Sequence, residues 1–290
     1  MNKSSIDVVG IIGNPIERSL SPAMHNSAFR AAKLDWVYIP FMTETGHLEV
    51  TVEVLKTLGL KGFNVTMPFK KEIIHYLDTI SSEAEAIMSV NTVVNEGGRL
   101  AGYSTDGEGF MMSIEARGES IDGKKIAVIG AGGAARAIVF EIAKGKAKEV
   151  SVINRTYDKA ETLREIITRY HKGSRIHAMI MDRKAVKAVR AADMVINTTP
   201  LGKLSLEGLD FLVDGLGPDQ FIYDLTTVPP LSQFLVTARQ RGCRVMGGLG
   251  MLVYQGALSY KMWTGMEAPV GVMMKAVGMD DAGIEVVRHA

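Results

Sequence analysis

Three short polar clusters carry residue types that can do chemistry together. Gly13-Asn14-Pro15-Ile16-Glu17-Arg18-Ser19-Leu20-Ser21-Pro22 holds two serines two positions apart, and in extended chain both hydroxyls face the same way. Asn64-Val65-Thr66-Met67-Pro68-Phe69-Lys70 puts an amide and a hydroxyl on one face, with an amine just beyond. Asp106, within Thr105-Asp106-Gly107, adds a carboxylate. Each cluster also has a blander reading. Pro22 suits the first turn of a helix, which makes Ser21 an N-cap. Pro68 opens a second helix and leaves Lys70 in its first turn, where the helix dipole disfavours a cation by about 0.3–1 kcal/mol. An ordinary surface lysine fits Lys70, and a plain cap fits Asp106. Capping does not account for Ser19.

A fourth cluster points to a nucleotide. In Lys125-Ile-Ala-Val-Ile-Gly130-Ala131-Gly132-Gly133-Ala134-Ala135-Arg136 a strand runs into Gly-x-Gly-x-x-Ala and then into a helix. The first glycine permits the tight turn, the second lets backbone approach a pyrophosphate, and the small third residue lets helix and strand pack. The helix N-terminus then offers free N–H groups to phosphates. The next strand ends in Asn154-Arg155-Thr156, with Lys159 close behind. An NAD site calls for an acid at that strand end. Arg155 and Lys159 suit a ribose 2′-phosphate instead, with Asn154 and Thr156 as neutral donors, so NADP is expected and NAD is the alternative. A solvated helix start capped by Thr156 is the non-binding reading.

These clusters need elements to hold them. Short apolar runs read as strands at Val8–Ile12, Trp36–Pro40, Phe63–Val65, Ile126–Ile129, Val150–Ile153, Met194–Ile196, Phe221–Tyr223 and Arg244–Met246. Helical periodicity covers Pro22–Ala32, Leu48–Leu58, about Asp106 to Ala116, Ala134–Ala143, Tyr157–Tyr170 and Leu231–Gln240. Asn91 to Tyr103 alternates on both sides of Glu96-Gly97-Gly98 and reads as a hairpin. Alternating strands and helices imply an α/β fold with mainly parallel sheets. Every polar cluster then follows the C-terminal end of a predicted strand, where open α/β sheets bind ligands. Converging hydroxyls, amides, an amine and a carboxylate suit a small polyhydroxylated substrate.

Bulk properties narrow the class. With 290 residues, 47% apolar and 22% charged, the chain can bury a core without staples, and about two domains are expected. A net charge of +1 gives no pull towards nucleic acid or an anionic membrane. The single cysteine, Cys243, excludes an internal disulfide framework and a thiolate metal site, and its apolar surroundings suit packing. His25 and His75 lack metal-ligand spacing, so no metal is expected. The brief apolar run at Val8–Ile12 is too short for a signal segment, so a cytoplasmic location is expected.

Taken in order, these motifs resemble the shikimate dehydrogenase family: Gly13–Asn26 (GNPIERSLSPAMHN), Asn64–Lys70 (NVTMPFK), Val90–Thr92 (VNT), Thr105–Gly107 (TDG), Gly130–Arg136 (GAGGAAR), Asn154–Thr156 (NRT), Asn197–Gly202 (NTTPLG) and Gly248–Gln255 (GLGMLVYQ). The resemblance implies a substrate-binding catalytic domain from residues 1–105 and 251–290, with a Rossmann dinucleotide-binding domain, 106–250, inserted between. It implies reversible NADPH-dependent reduction of 3-dehydroshikimate to shikimate in aromatic amino-acid biosynthesis. Carried over by position, Lys70 and Asp106 are the catalytic pair, and Ser19, Ser21, Asn64, Thr66, Asn91 and Gln255 hold the substrate. Gly130, Ala131, Gly132, Gly133, Ala134, Asn154, Arg155, Thr156 and Lys159 hold NADP, with Leu225, Gly248 and Met251 near the nicotinamide. The implied ligand is a small cyclic hydroxy-acid, and both a monomer and a homodimer stay open.

The sequence departs from the family pattern at several places. Asp224-Leu225-Thr226-Thr227 puts Thr227 where the family usually has a substrate-binding tyrosine, so that contact is lost or passes through a water. Arg18 stands where a histidine is common, Met88 where a glycine is, Ser104 where an asparagine is and Lys203 where a methionine is. Two other readings therefore remain: a quinate or aminoshikimate paralogue using NAD or NADP, and a non-catalytic sensor. Mere binding does not require both Lys70 and Asp106, which argues against the sensor.

Overall fold

The computed structural model describes residues 6–279, which fall into two compact units: 6–109 with 252–279, and 110–251. In chain order the first unit runs β1 (Asp7–Gly13), α1 (Ser21–Ala31), β2 (Trp36–Met42), α2 (Leu48–Thr57), β3 (Gly62–Val65), a 3-10 turn at Glu72–Tyr76, β4 (Thr79–Ile80), α3 (Ser82–Ile87), β5 (Thr92–Glu96) and β6 (Arg99–Tyr103). α4 (Asp106–Glu115) leads into the second unit. There follow β7 (Lys125–Ile129), α5 (Gly133–Lys144), β8 (Glu149–Asn154), α6 (Tyr157–Tyr170), β9 (Ile176–Ile180), α7 (Ala185–Ala191), β10 (Met194–Asn197), β11 (Phe221–Asp224), α8 (Gln233–Gln240) and β12 (Arg244–Gly247). α9 (Leu249–Thr264) and α10 (Val270–Ala276) close the described chain.

The first sheet has the order β2-β1-β3-β5-β6-β4. β1 pairs in parallel with β2 and β3, whereas β5 is antiparallel to both β3 and β6. The expected hairpin is β5–β6. Gly97 and Gly98 both take positive φ, 66° and 97°, which a two-residue turn matched to strand twist requires. Its apolar core joins Ile12, Phe63, Val65, Phe69, Val93 and Leu100 from the sheet side to Val52 and Leu55 of α2. Fully burying each such side chain contributes about 1.5–3 kcal/mol.

The second sheet is wholly parallel, with the order β12-β11-β10-β7-β8-β9. This is the doubly wound Rossmann order, whose strand sequence reverses beside β7, where the chain enters the glycine loop. Ile129, Ile153, Val195 and Ile222 pack with Phe234 and Leu235 of α8. Among the described residues no helix is long and apolar enough to cross a membrane.

Each strand and helix expected from the sequence is present, within two residues at either end, except the helix expected to open at Pro68, where residues 67–71 form a turn. α8 begins at Gln233 rather than Leu231 because Ser232 caps it, its hydroxyl accepting the Leu235 N–H at 3.2 Å. The short elements β4, α3, α7 and β9 had no sequence expectation. Met88 ends α3 in the left-handed conformation, φ 52° and ψ 47°, the geometry that favours the glycine the family commonly has there.

Candidate active site

In the first unit the ends of β1, β3, β5 and β6 carry the polar clusters, and backbone bonds tie the first two together. Asn14 donates its N–H to Met67 O at 3.0 Å, and Thr66 donates its N–H to Ile12 O at 2.9 Å. Gly13 is needed at this crossing, because a Cβ there would lie 2.3 Å from the Thr66 methyl. Ser21 is not the N-cap expected from Pro22. Leu20 occupies that position without a side-chain cap, Ser21 is the first helical residue, and its N–H donates to Ser19 Oγ at 3.3 Å. Ser21 is buried and Ser19 half-buried.

Lys70 also differs from its expected setting. Residues 67–71 form a turn, with Phe69 N–H donating to Thr66 O at 3.0 Å, and only a short 3-10 segment follows at Glu72–Tyr76. No run of aligned peptides begins at Pro68, so the helix-dipole argument for Lys70 has no basis. What Lys70 meets instead is Asp106: Nζ lies 2.5 Å from Oδ2, with the side chains 19% and 7% exposed. Restricted solvent makes such a pair stronger than a surface ion pair.

Nor is Asp106 an N-cap, the plainer alternative that the sequence left open for it. It is the first residue of α4, and its carboxylate is engaged on both oxygens. Asn91 Nδ2 donates to Oδ1 at 2.9 Å, to Thr105 Oγ1 at 2.9 Å and to Gln255 Oε1 at 3.2 Å. Thr105 N–H in turn donates to Asn91 Oδ1 at 2.8 Å. Gln255 reaches this cluster because α4 has Gly109, where a Cβ would sit 2.6 Å from the Gln255 nitrogen. Lys70, Asp106, Asn91 and Gln255 are thus in direct sequence of contact, with Thr66 on the adjoining turn.

Asn64 has a different surrounding from the one expected for a substrate contact. It is 5% exposed, its Nδ2 donates to Asn91 O, Thr92 Oγ1 and Ser259 Oγ at 3.0–3.1 Å, and its Oδ1 accepts the Tyr38 hydroxyl at 2.8 Å. Both amide hydrogens are spent on protein groups. Tyr38, Thr92, Thr105 and Ser259 were not singled out as site residues. Thr92 and Thr105 lie inside the quoted VNT and TDG motifs, whereas Tyr38 and Ser259 carry no local signal.

The second unit holds the glycine loop. Gly130 has φ 111°, and a Cβ there would lie 2.3 Å from Thr198 Oγ1. Gly132 has open space over its Cβ position and leads directly into α5, while Ala135 is fully buried against the sheet. Ala131 is buried, and Gly133 and Ala134 open the helix. Arg155, Thr156 and Lys159 stand exposed at the start of α6. Thr156 is the N-cap residue but makes no side-chain cap, and Asn154 Nδ2 donates to Thr156 O at 2.9 Å. The open space at the second glycine, at the start of α5, fits a pyrophosphate, and the two exposed cations fit a 2′-phosphate.

At the ends of β11 and β12, Leu225 donates its N–H to Asn197 O at 3.0 Å and Gly248 donates to Thr226 O at 3.1 Å. A Cβ at Gly248 would meet Leu225 O at 2.3 Å. Met251 N–H donates to the Tyr223 hydroxyl at 3.3 Å. Burial raises the pKa of Asp224 above the usual carboxylate value, opposed by the hydroxyl of Ser232 and the N–H of Thr226. Thr227 is half-buried in the segment that follows. Cys243 is buried, with its thiol against Gly217 O, and burial pushes its pKa up, as suits a packing residue. Among the described residues no group of three or more His, Cys, Asp or Glu is placed to hold a metal ion.

Three family descriptions match the chain in order: shikimate dehydrogenase substrate binding domain over residues 11–93, shikimate / quinate 5-dehydrogenase over 113–207, and shikimate 5′-dehydrogenase C-terminal domain over 248–277. The shikimate dehydrogenase (NADP+) of Moorella thermoacetica is 42% identical over 286 residues, covering 97% of each chain. A crystal structure of a shikimate dehydrogenase in complex with NADP+ superposes with a TM-score of 0.86 at 37% identity, covering 96% of each chain. The shikimate 5-dehydrogenase of Thermus thermophilus, solved in complex with NADP(H) and shikimate, gives 0.84 at 31% identity, covering 93% of this chain and 98% of that one. By fold, by site geometry and by similarity along nearly its whole length, this chain belongs to the shikimate dehydrogenase family.

Proposed function

We propose that the chain is an NADP-dependent shikimate dehydrogenase, interconverting 3-dehydroshikimate and shikimate in aromatic amino-acid biosynthesis. The first unit takes the cyclic acid and the second takes the dinucleotide. The observation that carries this reading is the Lys70–Asp106 pair, 2.5 Å apart and mostly shielded from solvent, at the mouth of a sheet lined by hydroxyls and amides.

NADPH, when bound, supplies the hydride that reduces the ring ketone. Lys70 then donates a proton to the oxygen on which negative charge develops, a general-acid contribution worth about 10²–10⁴-fold. In the reverse direction the neutral amine takes the hydroxyl proton. Asp106 holds Lys70 through Oδ2 and is itself held by Asn91 at Oδ1. Ser19 and Ser21 are assigned to the substrate carboxylate, and Thr66, Asn91 and Gln255 to its hydroxyls. Thr227 is assigned to the substrate through a water, in place of the family's tyrosine. Asn64 supports these groups from beneath. Gly130 to Ala134 receive the pyrophosphate, and Asn154, Arg155, Thr156 and Lys159 receive the 2′-phosphate. Leu225, Gly248 and Met251 are assigned to the nicotinamide end.

Initial rates with shikimate and with quinate, each with NADP and with NAD, test this reading. A kcat/KM for shikimate with NADP well above the other three pairs is the expected result. Preference for quinate or NAD would instead make the chain a paralogue, with Thr227 the first residue to examine.

A further inference from the structure

A chain of buried hydrogen bonds runs beneath the Lys70–Asp106 pair, within the first unit. It starts at Tyr38 on the edge strand β2, which is 2% exposed. The Tyr38 hydroxyl donates to Asn64 Oδ1 at 2.8 Å and also meets the Ser21 hydroxyl. Because that proton goes to Oδ1, the Asn64 amide is held with Nδ2 turned towards Asn91 O, Thr92 Oγ1 and Ser259 Oγ. Ser259 is fully buried, 2.8 Å from Thr92 Oγ1, and donates to Gln255 O at 3.1 Å.

One face of α9 is keyed to the strand in this way. Gln255, Ser259 and Trp263, four apart, meet Asn91, Thr92 and Val93 in order, the last through a Trp263 indole N–H donated to Val93 O at 3.0 Å. The Asn91 backbone is thus fixed from below by Asn64. Its side chain is fixed by the Thr105 N–H, so that Nδ2 is turned towards Asp106, Thr105 Oγ1 and Gln255 Oε1. Neither Tyr38 nor Ser259 reaches solvent, so neither can touch substrate.

We infer that Tyr38 and Ser259 are positioning residues for the Lys70–Asp106 pair, acting through Asn64 and Asn91. The inference rests on the catalytic reading above for its kinetic consequence, and on hydrogen-bond geometry alone for its structural one. Buried networks of this kind act as a unit, and a displacement of about 1 Å at a reacting group can lower a rate up to about 10²-fold.

Tyr38→Phe keeps the ring and its stack on His25, 4.5 Å away, and removes only the hydroxyl. Ser259→Ala cuts the same relay from the α9 side. In each folded variant kcat for 3-dehydroshikimate is expected to fall about tenfold with KM changed less than about threefold. The double variant is expected to lose no more than the weaker single one. Competitive acetylation of the lysines, read by peptide mass spectrometry without substrate or cofactor, is expected to show Lys70 labelled severalfold faster relative to the exposed Lys146. A merely structural role would lower the melting temperature without moving that ratio. Unchanged Lys70 labelling in a folded Tyr38→Phe or Ser259→Ala protein overturns the inference, whatever the rates. Altered labelling beside a wild type that turns over no shikimate leaves the inference standing and removes the functional reading.

Discussion

At the scale of single residues, Lys70 and Arg155 carry the most testable assignments. Lys70→Ala removes the proposed proton donor and leaves Asp106 beside Asn91, so the fold is expected to persist while kcat falls by about 10²–10⁴-fold. Circular dichroism and initial rates together check this, and a folded variant with near-wild-type turnover excludes Lys70 as the acid. Arg155 is exposed, so Arg155→Ala is expected to leave stability unchanged and to weaken NADP about tenfold or more while sparing NAD, as the ratio of the two KM values reads out. Most of these residues were legible because each falls in a short polar motif just after a strand. Tyr38 and Ser259 were not. A hydroxyl on an apolar edge strand and another on a helix 221 positions away become neighbours of Asn64 only through the sheet order and the docking of α9. The cap expected at Ser21, and the cap left open for Asp106, fail for a related reason: a cap is the local use of such a residue, and here tertiary partners claim the side chains, Tyr38 for Ser21 and Lys70 with Asn91 for Asp106.

Elements were read where an apolar run just before a turn or a sustained helical period marked them, and missed where neither was present. β4 has two residues and α7 has seven, too few for a period to show, and β9 mixes His177 and Met179 into an edge strand without a β-branched run. The β7–α5 turn shows how an element makes a site, and its two glycines separate two requirements. At Gly130 a side chain meets both a φ of 111° and the Thr198 hydroxyl. Gly130→Ala is therefore expected to destabilise the second unit by about 1–3 kcal/mol and to abolish dinucleotide binding. At Gly132 φ is −80° and no atom lies within 4 Å of the added methyl. Gly132→Ala is expected to keep the melting temperature and to weaken NADP at least tenfold, because the methyl takes the space over the helix N-terminus. Calorimetric titration with NADP beside a thermal scan distinguishes the two variants. Full-strength binding by Gly132→Ala would remove the pyrophosphate from that place.

At the scale of the whole molecule, acid tolerance is expected to be set in part by a residue with no assigned role in the site. His25 is fully buried between α1 and its neighbours, stacked on Tyr38 and 5.4 Å from the Trp263 ring. Neither ring nitrogen has a hydrogen-bond partner among the described residues, and burial lowers the pKa from 6.5 to about 3. The sequence showed only a histidine on a helix without metal-ligand spacing; its burial follows from the packing of α1 and could not be read locally. The unfolded chain binds a proton at this position below about pH 6.5, whereas the folded chain stays neutral until about pH 3. Stability contributed by the neutral ring is thus present above pH 6.5 and is lost as the pH falls. Between pH 7 and 5 the loss is about 2 kcal/mol, from roughly 1.4 kcal/mol per unit over the part of the interval below 6.5. Asp224 works in the opposite sense, since a carboxyl whose pKa is raised by folding gains relative stability on acidification. The comparison must therefore be between wild type and His25→Phe, in which every other group cancels. Both tryptophans of the chain, Trp36 and Trp263, lie in the first unit, so denaturant unfolding followed by tryptophan fluorescence reports on the unit that contains His25. His25→Phe is expected to unfold at nearly the same denaturant concentration at pH 5 as at pH 7, apart from slopes shared with wild type. Wild type is expected to lose about 2 kcal/mol more over the same interval. Parallel pH profiles for the two proteins would show that a proton or a water reaches the imidazole in the folded state, and the acid sensitivity would then have to be sought among the carboxylates.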